Sequence, residues 1–204
     1  MHTMSPDGDG LKHQLHAAVQ RILASRDPAE LLGTIQSVRQ VIAARFYLRH
    51  CSSVGTFTRL TGRPRISNRG TLIIGAYVRL YSTTVPIELA TQPGGTLEIG
   101  DRCSLNYGDS ISAHQSIRLG RLCRLGTYVN IMDNNWHDIH DRSKVPPSAP
   151  VTLEENVWLG NSVIVLPGVT IGRDAVVGAG SVVMTDIPPR SVAMGNPARV
   201  VRSF

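Results

Sequence analysis

The chain has 204 residues and a formal net charge of +6, with 42% hydrophobic and 18% charged residues. This globular composition excludes disorder over most of the chain. No stretch approaches the about 18 consecutive apolar residues of a membrane helix, and Asp7 and Asp9 lie where a signal peptide would be basic and then apolar. We therefore expect a cytoplasmic protein.

Most of the positive charge lies in residues 1–65, which we interpret as a basic helical segment. Residues 11–25 show weak helical spacing, and Asp27 followed by Pro28 is typical of a helix start. Apolar residues then recur at steps of three and four, which predicts an amphipathic helix of about five turns. This stripe consists of Leu31, Leu32, Ile35, Val38, Ile42 and Phe46. We expect it to cover the open end of the first coil near residues 66–80, with weak contact to an anionic membrane surface as the alternative.

From residue 66 onward an aliphatic residue recurs every six positions. The clearest run is Leu153, Leu159, Val165, Ile171, Val177 and Val183, and earlier runs are Ile99, Leu105 and Ile111, then Leu119, Leu125 and Ile131. A period of six does not fit an α-helix, and each hexad predicts a short strand followed by a tight turn. Three hexads make a triangular coil of about 18 residues, so residues 66–204 are predicted to form an all-β parallel solenoid.

The hexad slips by two residues between Ile111 and Leu119, and it is broken at greater length by a polar segment, residues 132–150. The interval from Ile131 to Leu153 is 22 residues, four more than three hexads. The segment contains Asp133, Asp138, His137 and His140 and ends in a proline-rich stretch. A polar, histidine-bearing loop on a regular solenoid predicts a functional site.

Four segments of the repeat region carry a family resemblance: VWLG at 157–160, LPGVTIG at 166–172, VGAGSVV at 177–183 and GNPARVV at 195–201. They resemble the hexapeptide-repeat acyltransferases, in particular the sugar O-acetyltransferases related to maltose and galactoside acetyltransferases and the polysaccharide-biosynthesis branch. The resemblance implies a left-handed parallel β-helix. It also implies a homotrimer with active sites between subunits, a small-molecule or sugar acceptor, acetyl-CoA as co-substrate without a required metal, and no nucleic-acid partner.

The resemblance implies a histidine general base in the loop, about twenty residues before the tryptophan of VWLG. His137 lies 21 residues before Trp158, and we expect it to be the catalytic base, with His140 as the alternative. A neutral imidazole suits this task because an alcohol is a poor nucleophile at neutral pH. Asp133 or Asp138 could orient the ring, as the third member of a triad does.

The resemblance also implies residues for the acceptor and the cofactor. Asn106 and Tyr107 match the pair that lines the acceptor pocket, although Asn106 could equally belong to an asparagine ladder at a solenoid corner. The implied cofactor-binding residues are Trp158, Gly160, Asn161, Gly178, Ala179, Arg199 and Arg202. Met184 stands where a threonine is often found, which weakens one expected contact to the cofactor.

Three alternatives to an O-acetyltransferase remain open at this point. The same coil carries N-acetyltransferases of amino sugars and antibiotics. A zinc-dependent γ-carbonic anhydrase would use His114, His137 and His140, but their separations of 23 and 3 residues do not match that family. A non-catalytic scaffold would use the loop only for binding.

Overall fold

The computed structural model describes residues 16, 17, 20 and 27–204, so the predicted helical spacing over residues 11–25 lies largely outside the described residues. Helix α1 (Pro28–Tyr47) precedes a series of short strands, and the Asp27 side chain accepts a hydrogen bond from the Ala29 amide at its start. The strands are β1 (Ser53–Val54), β2 (Arg59–Gly62), β3 (Arg65–Asn68), β4 (Thr71–Ile74), β5 (Arg79–Ser82), β6 (Glu88–Thr91), β7 (Thr96–Ile99), β8 (Ser104–Leu105), β9 (Ser110–Ala113), β10 (Ser116–Leu119), β11 (Arg124–Leu125), β12 (Asn130–Met132), β13 (Val151–Leu153), β14 (Trp158–Leu159), β15 (Ile164–Val165), β16 (Thr170–Ile171), β17 (Val176–Val177), β18 (Val182–Val183), β19 (Ser191–Gly195) and β20 (Ala198–Ser203).

The strands form three sheets, which are the faces of a triangular coil. Sheet 1 contains β1, β4, β7, β10, β13 and β16; sheet 2 contains β2, β5, β8, β11, β14, β17, β19 and β20; sheet 3 contains β3, β6, β9, β12, β15 and β18. All neighbours pair in parallel except the final β19–β20 pair, which is antiparallel. The predicted left-handed parallel β-helix with an N-terminal helix is confirmed.

The coil begins before the boundary that we predicted at residue 66. β1 and β2 already pair with β4 and β5, so the first coil starts at Ser53. The hexad does extend back through Val54, Leu60 and Ile66. Its signal is weak there because Val54 and Ile66 remain half-buried at the end of the solenoid.

The hexad aliphatics form the core, as predicted. Every member from Leu153 to Val183 is fully buried, as are the small residues that follow them by four positions. Each buried Val, Leu or Ile contributes about 1.5–3 kcal/mol of transfer free energy, so the repeat itself stabilises the coil. Glycine at 160 permits close packing of successive coils, because a Cβ there would lie 2.7 Å from the Ala179 nitrogen.

Helix α1 packs on β2 at the end of the first coil, but not through the face that we predicted. Ala44 and Leu48 are buried in the core, whereas most of the predicted stripe is exposed (Leu32, Ile35, Ile42 and Phe46). The prediction followed the largest side chains, whereas the helix is buried at small Ala44 and bonded to β2 through Gln40 and Thr61. Among the described residues, no helix is long and apolar enough to cross a membrane.

Candidate active site

The loop of residues 132–150 leaves the coil at the corner between sheets 3 and 1, between β12 and β13. The Asn134 side chain and one backbone hydrogen bond fasten its base. Asn134 donates to the Pro146 carbonyl at 2.8 Å and to the Ser148 hydroxyl at 2.9 Å, and its Oδ1 accepts from the Trp136 amide. The Ala149 amide donates to the Asp133 carbonyl at 2.9 Å. The loop is therefore closed at its neck while its tip extends into solvent.

His137 lies at the exposed part of this loop, and its ring is oriented by one backbone contact. Nδ1 lies 2.9 Å from the Arg142 carbonyl oxygen. Because a carbonyl oxygen only accepts, Nδ1 carries the proton in the neutral ring, and Nε2 has the free lone pair. This tautomer can act as a general base through Nε2.

The residue before His137 adds a second contact that sequence reasoning missed. The Trp136 ring meets the His114 ring edge to face, with centroids 4.2 Å apart, and Trp136 has a left-handed φ of 63°. His114 lies on the preceding coil at the same corner, and its Nε2 is buried without a hydrogen-bond partner among the described residues. Nine other non-glycine residues among those described also have a left-handed φ, for example Tyr77, Leu122 and Tyr128, so the φ of Trp136 is a common turn conformation of this coil. In the sequence, only the presence of a histidine at position 114 hinted at this contact.

Asp133 does not orient His137, contrary to one of our alternatives. Its fully buried carboxylate accepts hydrogen bonds of 2.7 Å from the amides of His114, Gln115 and Ser116. Both oxygens are thereby used on the preceding coil. The residue fixes the start of the loop to the solenoid.

Asp138 does not reach the His137 ring either. Its Oδ1 accepts hydrogen bonds from the amides of His140 and Asp141, at 2.8 and 3.0 Å. These bonds, that of Asp141 above all, lower the pKa of the exposed Asp138 carboxyl below its usual value. The side chain is part of a local turn, and the orienting partner of His137 is a backbone carbonyl instead.

Asn106 and Tyr107 lie at a different corner, between sheets 2 and 3, directly after β8. The Asn106 amide group donates to the Leu125 carbonyl of the next coil at 2.8 Å, the contact expected of a corner asparagine. Acceptor binding by Asn106 would have to use its remaining amide atoms. The Tyr107 ring packs edge to face on Tyr128, with centroids 5.6 Å apart.

Asp109, at the end of the same corner, is a fully buried acid that sequence reasoning missed. Its oxygens accept hydrogen bonds from the amides of Asn106 and Val129, at 2.8 and 2.9 Å. Burial raises the pKa of this carboxyl to about 7, although the two N–H donors oppose the change. Asp109 therefore fixes the backbone beneath the Asn106 corner.

Most of the predicted cofactor residues lie on sheet 2 or at its corner with sheet 3. Trp158 points outward from β14 and is 55% exposed. Asn161 accepts a hydrogen bond from the Thr127 amide at 3.0 Å, and Ala179 is exposed one coil further on. A Cβ at Gly178 would lie 3.0 Å from that of Met194, so Gly178 permits the close approach of the Met194 side chain on β19.

The two predicted arginines lie on β20, at the outer edge of sheet 2. Arg199 donates to the Ala198 carbonyl at 2.9 Å, and Arg202 is exposed. Both belong to the same sheet as Trp158. The sequence-predicted cofactor residues are therefore grouped along one face of the coil.

A single chain does not bring its two groups of predicted residues together. The histidine loop leaves the corner between sheets 3 and 1, whereas Asn106, Tyr107, Asn161 and Ala179 lie at the corner between sheets 2 and 3. The full width of sheet 3 lies between these corners. No hydrogen bond or ring contact joins the two groups among the described residues.

The three histidines of the carbonic anhydrase alternative do not form its zinc site. Within the described ranges, no three His, Cys, Asp or Glu side chains are grouped to bind a metal ion. The His114 ring packs on Trp136, and Nδ1 of His137 is bonded to a carbonyl. This arrangement leaves the zinc alternative without a ligand set.

Comparison with known proteins identifies the class to which this fold belongs. The family model described as bacterial transferase hexapeptide (six repeats) matches residues 150–184. A Schizosaccharomyces pombe protein named as an acetyltransferase is 31% identical over 79% of this chain and 80% of its own length. The Escherichia coli protein WbbJ, named as a lipopolysaccharide biosynthesis O-acetyl transferase, is 31% identical over 85% of this chain and 90% of its own length.

A solved structure shows the same fold. The hexapeptide-repeat acetyltransferase of Vibrio cholerae complexed with acetyl coenzyme A aligns over 100% of this chain and 92% of its own, at 23% identity and a TM-score of 0.54. The chain belongs to the hexapeptide-repeat acetyltransferases, and it is an acyltransferase.

Proposed function

We propose that the protein is an acetyl-CoA-dependent O-acetyltransferase that acetylates a hydroxyl of a sugar or another small hydroxylated acceptor, with His137 as general base. The observation that carries this proposal is the bond between His137 Nδ1 and the Arg142 carbonyl, which leaves Nε2 free to accept a proton. It occurs in the loop of residues 132–150, between β12 and β13. The similarity to a protein named as an O-acetyl transferase favours a hydroxyl acceptor over an amine.

The chemistry follows from this tautomer. Nε2 of His137 removes the acceptor hydroxyl proton while the oxygen forms a bond to the thioester carbonyl carbon. The carbon–sulfur bond then breaks, and the imidazolium returns the proton to the departing thiolate. Attack is direct because residues 132–150 contain no cysteine and the thiols of Cys103 and Cys123 are buried in the core.

The donor would bind along sheet 2 and its corner with sheet 3. The small, exposed side chain of Ala179 allows a pantetheine arm to lie close to the backbone, and exposed Trp158 offers an apolar surface. Arg199 and Arg202 could meet phosphates as charge-assisted hydrogen-bond donors. The Vibrio cholerae relative of the same fold is complexed with acetyl coenzyme A, which supports this donor.

A homotrimer would unite the two groups of residues that one chain separates. In closed threefold symmetry, the loop at one corner of each subunit can face a different corner of its neighbour. His137 would then act on an acetyl donor bound along sheet 2 of the adjacent subunit. The exposed aliphatic residues of the helix and loop are consistent with a further contact between copies.

The proposal is tested by incubating the protein with radiolabelled acetyl-CoA and a panel of sugars, nucleotide sugars, amino sugars and other hydroxylated metabolites. Transfer of label to a hydroxyl, stable to conditions that hydrolyse only thioesters, supports an O-acetyltransferase. Label found only on amino sugars would identify an N-acetyltransferase, and failure of CoA to bind would favour a scaffold. Mass spectrometry after mixing with acetyl-CoA alone should show no acetylated active-site residue.

A further inference from the structure

Sheet 2 differs from the other two sheets in its charged residues. In sheet 1, Arg118 pairs with Glu98 at 3.6 Å, and in sheet 3, Arg65 pairs with Glu88 at 2.8 Å. The strands of sheet 2 contain no acidic residue but five arginines: Arg59, Arg79, Arg124, Arg199 and Arg202. Two of them lie next to each other at the end covered by α1.

Arg59 and Arg79 are direct neighbours on β2 and β5. Adjacent strands lie about 4.8 Å apart, and like charges directly opposite each other destabilise a sheet. Neither arginine forms an ion pair or a side-chain hydrogen bond among the described residues. The two neighbouring positive charges are therefore not neutralised by an acidic side chain among the described residues.

The two arginines line a recess of about 140 Å³ between α1 and sheet 2. Its other lining residues are Gln40, Thr61, Leu80 and Tyr81. Gln40 donates from Nε2 to the Thr61 hydroxyl oxygen at 3.1 Å, so the hydrogen of that hydroxyl remains able to donate. The recess thus combines two guanidinium groups with neutral donors and no carboxylate.

The size and the donors of the recess indicate the class of ligand. Sites that enclose a whole small ligand measure about 300–1,000 Å³, so this recess suits one chemical group of a ligand whose remainder lies outside. One bidentate guanidinium already satisfies a carboxylate, whereas a phosphate group has enough oxygens for two arginines and a hydroxyl. We propose that the recess at Arg59, Arg79 and Thr61 binds a phosphate or diphosphate group of a small ligand.

This site is separate from the proposed donor site. β5 lies three strands from β14, which carries Trp158, and five strands from β19, so the recess is roughly 14 Å from the nearest proposed donor residue and roughly 24 Å from the β19–β20 edge that carries Arg199 and Arg202. The inference does not depend on acetyl transfer, because binding can be measured without turnover. CoA itself carries a diphosphate, and the test must therefore separate the two sites.

The test is isothermal titration calorimetry of the full-length protein with inorganic pyrophosphate at low ionic strength and without CoA, so that the Arg199→Gln variant reports on the donor site. We expect the wild type to bind, and Arg59→Gln and Arg79→Gln each to weaken binding by about tenfold or more, the usual contribution of a hydrogen bond to a charged group. Thr61→Val, which retains both charges, should weaken it less. Arg65→Gln is the matched control, because it also removes one positive charge, but from sheet 3. Arg199→Gln is the control for the donor site.

Each outcome decides the inference. Selective weakening in the Arg59 and Arg79 variants, with unchanged melting temperature, supports the recess. Absence of pyrophosphate binding to the wild type overturns it, as does equal weakening by Arg65→Gln, which would indicate a diffuse basic surface. Loss only in Arg199→Gln would place the anion in the donor site and also overturns it. Acetate at the same concentration should not compete, and full competition would make the ligand class a carboxylate instead.

Discussion

The regular coil from Val151 to Val183 and the loop of residues 132–150 are fixed by different interactions. In the coil, each turn repeats the same buried aliphatic contact, so every residue of the hexad is constrained by its equivalents above and below. The loop has no such repeat, and its geometry depends on a few polar side chains at its neck and one carbonyl near its tip. The solenoid supplies a regular frame, and the proposed catalytic loop depends on contacts that occur only once.

The largest effect on activity should come from a substitution in the loop, at His137. His137→Ala should lower turnover by about two to four orders of magnitude, the usual contribution of a positioned general base, with CoA affinity nearly unchanged. Steady-state kinetics with the acceptor found in the panel, together with calorimetry of CoA, measure both quantities. His140→Ala is the matched control and should have a much smaller effect. If His140→Ala is the more damaging variant, the base is His140, and if neither matters there is no histidine base.

Replacing the buried acid Asp109 in the coil should change how the free energy of unfolding depends on pH. Asp109 has a pKa of about 7 in the folded protein, raised by burial from a value of about 3.9 in the unfolded chain. Between these values the unfolded state releases its proton first, so the free energy of unfolding should fall as pH rises from about 4 to 7, by a few kcal/mol at most. Asp109→Asn should flatten this decline in urea unfolding at pH 5 and pH 8. Parallel curves for wild type and variant would contradict the assignment.

A smaller effect is expected at the junction between coil and loop. Asp133→Asn replaces a carboxylate that accepts three backbone N–H bonds, and it should lower the free energy of unfolding by about 1–3 kcal/mol. Asp138→Asn, which changes an exposed turn residue, should stay within about 0.5 kcal/mol of the wild type. Urea unfolding of the two variants measures the difference. Equal losses would mean that the neck does not fix the loop.

Sequence reasoning succeeds for the coil because burial there repeats with the hexad. Leu159 and its equivalents were identified from their period alone, and each is buried. The same reasoning failed for α1, where large side chains such as Ile42 suggested the wrong face. Helical spacing shows that apolar residues share a face but not which face meets a neighbour.

The loop was predictable in position but not in its contacts. The extra residues after Ile131 located it, and His137 followed from the family resemblance. The Arg142 carbonyl and the edge-to-face contact of Trp136 with His114 leave no sequence signature, because any residue supplies a carbonyl and the loop path is irregular. An aspartate at position 133 is a residue type that can take part in catalysis. In the structure its carboxylate is buried and is bonded to three backbone amides of the preceding coil.

The central claim is that the loop of one subunit acts at the corner of its neighbour, and mixing two inactive variants tests it directly. His137→Ala removes the base, and Ala179→Trp places a large side chain at the exposed corner where the donor is proposed to bind. Trimers co-assembled from equal amounts of both should recover about a quarter of wild-type turnover, since one subunit border in four joins an intact loop to an intact corner. No recovery, with mixed trimers verified by mass spectrometry, would contradict a site shared between subunits.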